Sequence, residues 1–186
     1  MKKYLLTVII SLSTATVFAC TNFMAGKNAT TDGSILVSYA ADSYSLYGFL
    51  RYSPAADYKD GDMRKIIDWD SGKPLGEIPQ VAHTFSVVGN MNEHQLTIGE
   101  TTWGGREELY GESGIDYGSL IYIALERCRT AREAINCITS LASEYGYASE
   151  GESFTIADTE EVWILELIGK GKQDKGAVWA AARIPD

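Results

Sequence analysis

The stretch that most limits what this chain can fold into is residues 117–128, where Leu120, Ile121, Ile123, Ala124 and Leu125 leave almost no polar side. A helix that is apolar nearly all round has to lie between layers rather than on a surface. A second helix is expected directly after it, because Thr130-Ala131-Arg132-Glu133 is a capping box. Its apolar set, Ala134, Ile135, Ile138, Leu141, Ala142 and Tyr145, keeps the i, i+3, i+4 rule. So short a link makes the two an antiparallel hairpin. Strand patterns flank the pair, at 21–25, 34–40, 84–88 and 95–101 before it and at 153–158, 162–168 and 176–182 after it. Strands, a helix pair and strands again predict an α+β fold, a sheet covered by helices. Residues 44–79 read as a long irregular excursion with one strand around 63–69.

Composition narrows the function. At 186 residues and 45% hydrophobic content the chain can bury one core, which excludes disorder. A net charge of −9, spread along the chain, argues against a nucleic-acid partner. Three cysteines are too few for a disulfide scaffold, and none has zinc-site spacing. Cys128 and Cys137, both in the helical region, read as buried thiols. Cys20 needs its own explanation.

Cys20 ends a leader. Met1-Lys2-Lys3 is a positive n-region, residues 4–12 an apolar h-region and residues 13–19 a small-residue c-region ending Val17-Phe18-Ala19. This is the pattern of a secretory signal peptide, too short for the roughly 20 apolar residues of a membrane span. The expectation is an exported protein, periplasmic or extracellular, with residues 1–19 removed and 20–186 forming the mature domain. A lipoprotein signal also ends at a cysteine, but it favours Leu and a small residue where this chain has Val17 and Phe18. Two roles for Cys20 stay open at this point, catalyst or lipid anchor of an envelope binding protein.

As a catalyst, an N-terminal cysteine supplies its own base. Only the thiolate attacks, and the α-amino group, with a pKa of about 8, can take the thiol proton locally. The 21–25 and 34–40 strands turn through Asp32-Gly33, bringing Asp42 back toward Cys20, where a carboxylate can orient an α-ammonium. His83 and His94 invite a Cys/His dyad, but each sits beside a strand or turn, and the amine makes a histidine unnecessary. Tyr44, Tyr47, Tyr52 and Tyr58 suit a substrate cleft or loop packing equally.

Five motifs in order, Cys20-Thr21-Asn22, Ala29-Thr30-Thr31-Asp32-Gly33-Ser34, Tyr39-Ala40-Ala41-Asp42-Ser43, residues 88–96 and residues 98–106, resemble the secreted cysteine dipeptidases related to dipeptidase A. These are N-terminal nucleophile hydrolases, alongside penicillin V acylase and bile salt hydrolase. The resemblance implies a four-layer αββα sandwich with Cys20 as nucleophile and amine base, and Asp42 positioning that amine. Tyr39 stands where the wider superfamily often has arginine, which leaves it substrate contact or packing. Thr102 falls where the acylases carry a polar oxyanion-hole residue, and Asn92 and Glu93 read as turn residues. The implied partner is a dipeptide substrate, with no metal or organic cofactor, no nucleic acid and no stable membrane insertion; self-association is left open. The family's downstream asparagine and later arginine have no counterpart before Asp186. The chain is therefore expected to be an N-terminal part of the enzyme with an incomplete sandwich, and an inactive fragment is the remaining alternative.

Overall fold

The computed structural model describes residues 20–43, 48 and 50–186, so the expected leader at 1–19 and Tyr44 and Tyr47 lie outside the described residues. The chain opens with a hairpin of β1 (Thr21–Ala25) and β2 (Leu36–Ala40). Short strands β3 (Tyr52–Ser53) and β4 (Ala56–Asp57) lead to a ribbon of β5 (Met63–Ile67) and β6 (Pro74–Pro79). Three more short strands follow, β7 (His83–Thr84), β8 (Val87–Val88) and β9 (Met91–Asn92), then the long β10 (Thr97–Gly104). Helices α1 (Tyr117–Arg127) and α2 (Ala131–Tyr145) precede β11 (Gly151–Ala157), β12 (Val162–Gly169) and β13 (Ala177–Arg183).

The main sheet is antiparallel, in the order β13-β12-β11-β10-β9-β8-β3. Alternation along its strands sends Ile98, Phe154, Ile156, Leu165 and Leu167 to one face, where they share a core with Leu120, Ile123, Leu125, Ala134 and Ile138 of the helices. Each such side chain taken fully from water contributes about 1.5–3 kcal/mol. The apolar girdle of α1 is explained by its position: Leu120, Ile121, Tyr122, Ile123, Ala124 and Leu125 are all buried. Asp116 caps it by accepting from Ser119 N, and Thr130 caps α2 by accepting from Glu133 N. The β1–β2 hairpin packs on the opposite face of the sheet, over Gly99 and Thr101. The α+β layering expected from the sequence is thus observed.

Two stretches differ from expectation. The excursion at 44–79 contains the short strands β3 and β4 and the β5–β6 pair rather than one strand, with Pro74 and Pro79 at the two ends of β6, where a missing N–H does least damage. The anticipated hairpin of 84–88 with 95–101 is broken: Thr84 pairs with Ala56, whereas Val87 and Val88 pair with Asn92 and Met91 through a tight Gly89-Asn90 turn. Asn92 is the reason. Its Oδ1 accepts from His94 N and Leu96 N, and its Nδ2 donates to Leu125 O and Cys128 O at the end of α1. A turn residue thereby satisfies carbonyls that a helix end leaves open.

Candidate active site

Register places the nucleophile candidate. Thr21 pairs with Ala40, so Cys20 lies across from Ala41 and next to Asp42. The hairpin is pinned to β10 by Asn22, whose Nδ2 donates to Glu100 O at 2.6 Å and to Thr101 Oγ1 at 3.0 Å. Thr101 Oγ1 in turn donates to Cys20 O at 2.8 Å. Strand β9 pairs with β10 only at Thr97, so Asn22 also serves a backbone group on an edge that no strand covers. Glu100 belongs to the helix-facing set, and it meets Cys20 and Tyr39 at this open edge. Cys20 Sγ donates to Glu100 Oε1 at 3.1 Å, and Tyr39 OH donates to the same oxygen at 2.5 Å.

Cys20, Tyr39, Asp42 and Thr102, the four residues singled out in the sequence, line one cavity of about 350 Å³. The Thr102 hydroxyl, expected to face an oxyanion, donates instead to Glu152 Oε2 at 2.9 Å, directly across the β10–β11 pairing. Asp70, Glu100, Tyr117 and Glu150 line the same cavity and were not singled out. The available signal was a glutamate inside an expected strand at Glu100, between Ile98 and Thr101, and a glutamate one residue before the strand expected at 153–158, Glu152. His83 pairs with Asp57 and His94 packs edge-on against Phe85; neither lines the cavity. Cys128 and Cys137 are free thiols, the first buried and the second half-buried.

The cavity is electrostatically one-sided. Asp42, Asp70, Glu100 and Glu150 line it with no lysine, arginine or histidine among the lining residues. Burial, then the hydrogen bond and charge of Glu100, push the Cys20 thiol up to about 11, against a smaller opposing effect from the Asp42 backbone. Burial and Glu100 likewise hold the Tyr39 phenol far above its ordinary value. Burial also raises Asp70, whose Oδ1 accepts from Tyr117 OH at 3.1 Å. Burial, followed by the charge of Glu100, pushes the Glu152 carboxyl well above the ordinary carboxylate range.

A second cavity of about 320 Å³ shares Tyr39, Trp69, Glu100 and Tyr117 with the first and contains Arg51. The Arg51 guanidinium lies 4.3 Å from the Tyr122 ring centroid and 5.4 Å from that of Trp69, and these two rings stack at 5.2 Å. Two aromatic faces hold the cation in place. No carboxylate ion-pairs with it among the described residues. Together the cavities form an acidic chamber at the thiol and an adjoining chamber with one fixed cation. A larger cavity of about 530 Å³ adjoins Trp69 but is lined by neither Cys20 nor Glu100.

The chain is similar to proteins described as dipeptidases. "Probable dipeptidase B" of Streptococcus pyogenes serotype M1 is 27% identical over 91% of this chain and 36% of its own length. "Probable dipeptidase" of Salmonella dublin is 25% identical over 100% of this chain and 45% of its own. "Probable dipeptidase" of Latilactobacillus sakei is 25% identical over 90% and 37%. The chain therefore spans less than half the length of these relatives. The model of Peptidase family C69 matches residues 52–186, which include Arg51's neighbour Tyr52, Glu100, Thr102 and Glu152 and begin after Cys20. That match covers most of the chain and agrees with the resemblance carried by the motifs: the chain belongs to peptidase family C69.

Proposed function

We propose that this chain carries the nucleophile half of an exported cysteine dipeptidase, in which removal of residues 1–19 frees the α-amino group of Cys20. The observation that carries the reading is the placement of Cys20 beside Asp42 in a cavity lined by four carboxylates and no cation. Such a chamber suits ammonium groups, both the processed terminus and the α-ammonium of a dipeptide. Arg51 in the adjoining chamber is the complementary partner for the dipeptide's free carboxylate. The names of the relatives favour the same substrate class.

In the reaction Cys20 Sγ attacks the peptide carbonyl carbon while its proton passes to the α-amino group. That group then protonates the departing amine as the C–N bond breaks, leaving a thioester. Water attacks the thioester, the amine takes the water proton, and the acid leaves as the thiol is restored. Asp42 orients the ammonium, and Tyr39 bounds the site through its bond to Glu100. Thr102 reaches an oxyanion only by giving up its bond to Glu152. We read the helix pair, the main sheet and the β1–β2 hairpin as three layers of an αββα sandwich. Phe23 and Leu36, 69% and 59% exposed on the outer face of the hairpin, offer apolar surface for a further layer.

The test is dipeptide hydrolysis by the full-length natural protein and its Cys20→Ala variant, together with the intact mass of the exported form. A free Cys20 terminus and loss of turnover in Cys20→Ala are expected. Turnover retained in the variant, or a diacylglyceryl adduct on Cys20, would overturn the reading.

A further inference from the structure

Glu100 and Glu152 lie on adjacent strands, on one face. Thr102 pairs with Glu152 in the β10–β11 register, and Glu100 is two residues before Thr102. Both are buried, at 4% and 0% exposure. Two of their four carboxyl oxygens have partners: Glu100 Oε1 accepts from Cys20 and Tyr39, and Glu152 Oε2 accepts from Thr102. Glu100 Oε2 and Glu152 Oε1 are buried with no partner among the described residues. Two orphaned carboxyl oxygens on one face of adjacent strands are both satisfied if one proton lies between them. Two buried carboxylates on one face of adjacent strands resist being ionised together.

We propose that Glu100 and Glu152 share a single proton and act together as the positioning pair of Cys20, the Glu100 carboxylate fixing the thiol and Glu152 keeping the pair singly charged. The inference rests on Cys20 being the nucleophile. It adds a hydrogen-bond chain running from Thr102 through Glu152 to Glu100, on which Tyr39 and Cys20 converge. The raised value of Glu152, about 9, agrees with the geometry. The neutral and acidic groups facing the pair are Cys20 and Tyr39 from the hairpin, Asp42 beyond it, Asp70 after β5, Asp116 and Tyr117 at the start of α1, and Tyr147 and Glu150 before β11. The cationic ones are Arg51, which lines the adjoining cavity with Glu100, and the α-ammonium of Cys20 once residues 1–19 are removed. With one charge on the pair, Glu100 orients the thiol and holds it protonated until the α-amino group of Cys20 takes its proton. Loss of the shared proton places a second negative charge beside the sulfur and disfavours the thiolate further. Neither glutamate forms a bond to substrate.

The measurement is the rate of Cys20 alkylation by iodoacetamide against pH in the intact protein, read on the Cys20 peptide by mass spectrometry so that Cys128 and Cys137 do not contribute. In the unsubstituted protein the logarithm of the rate rises with pH and flattens where the shared proton is lost, above the separate inflection that the α-amino group gives at about 8. Glu152→Gln, whose amide N–H takes the place of that proton, abolishes the flattening. Glu100→Gln lowers the thiol pKa, and one unit of lowering is roughly a tenfold faster reaction at mildly alkaline pH. An unflattened profile in the unsubstituted protein, or a Glu100→Gln variant that melts normally with an unaltered profile, would overturn the proposal. Infrared spectroscopy decides the case even if Glu100→Gln does not fold: a protonated-carboxyl C=O band at neutral pH must be present and must vanish in Glu152→Gln, and its absence refutes the shared proton. Neither readout involves a dipeptide, so failure to hydrolyse one would count against the proposed function and leave this inference standing.

Discussion

Gly99 holds the hairpin that carries Cys20 against the sheet, and Gly99→Ala isolates that contact. A Cβ at this position would lie 2.3 Å from Asn22 Oδ1 and 3.1 Å from Tyr39 Cβ. Gly99 is not among the positive-φ glycines, so the backbone accepts alanine and the effect is purely steric. A loose side-chain tip would swing away at little cost, but Asn22 is pinned by its bonds to Glu100 O and Thr101 Oγ1. Relief therefore means breaking both bonds, at about 1 kcal/mol each, or overpacking the interface, at about 1–3 kcal/mol. The hairpin lifts in either case, and Cys20 separates from Glu100. Urea denaturation should show a loss of about 2–4 kcal/mol. Alkylation of Cys20 at mildly alkaline pH should accelerate as the thiol escapes the carboxylate. A variant within about 0.5 kcal/mol of the parent, with unaltered alkylation, would refute the argument that Gly99 seats the hairpin.

Other perturbations separate structure from chemistry. Asn92→Ala removes two hydrogen bonds to the end of α1 and two within its own turn, and should cost about 3 kcal/mol by urea melt while leaving the alkylation profile of Cys20 in place. Arg64 forks onto both oxygens of Glu126 at 2.9 and 2.7 Å, so Arg64→Met strands a mostly buried carboxylate and should lower stability by about 3 kcal/mol in the same assay. Glu152 is raised in the folded state, so folding holds a proton that the unfolded chain releases. Stability should therefore fall as pH climbs from the ordinary carboxyl range to about 9, by at most about 1.4 kcal/mol per pH unit, and Glu152→Gln should flatten that slope in pH-dependent melts. Arg51→Gln should raise KM for dipeptides by about tenfold, or about 1.4 kcal/mol, with a smaller change for dipeptide amides, which lack the carboxylate.

The helices were legible because their signals are local: the all-round apolar girdle of 120–125, the box at Thr130 and the stripe from Ala134 to Tyr145 each specify a helix without knowledge of the partner. The β1–β2 hairpin was legible for the same reason, through Asp32-Gly33, and with it the proximity of Asp42 to Cys20. The β5–β6 ribbon was missed because the prolines bounding β6 read as breakers when they stand at strand ends. The broken strand at 84–92 was missed because Asn92 is drawn out of a simple turn by the carbonyls of a helix more than thirty residues away. The same limit hid Glu100 and Glu152. A glutamate in a strand looks solvent-facing until the fold sets it against another strand's glutamate and a cysteine eighty residues earlier. Local pattern singled out Cys20, and long-range packing supplied the carboxylates around it.

The account turns on Cys20 carrying the acyl group. The full-length protein, mixed with excess dipeptide, quenched in acid within one turnover and digested, should yield a Cys20 peptide heavier by the N-terminal aminoacyl residue of the substrate, in an adduct that hydroxylamine removes. An acyl group found on another residue, or turnover with Cys20 never labelled, would contradict it.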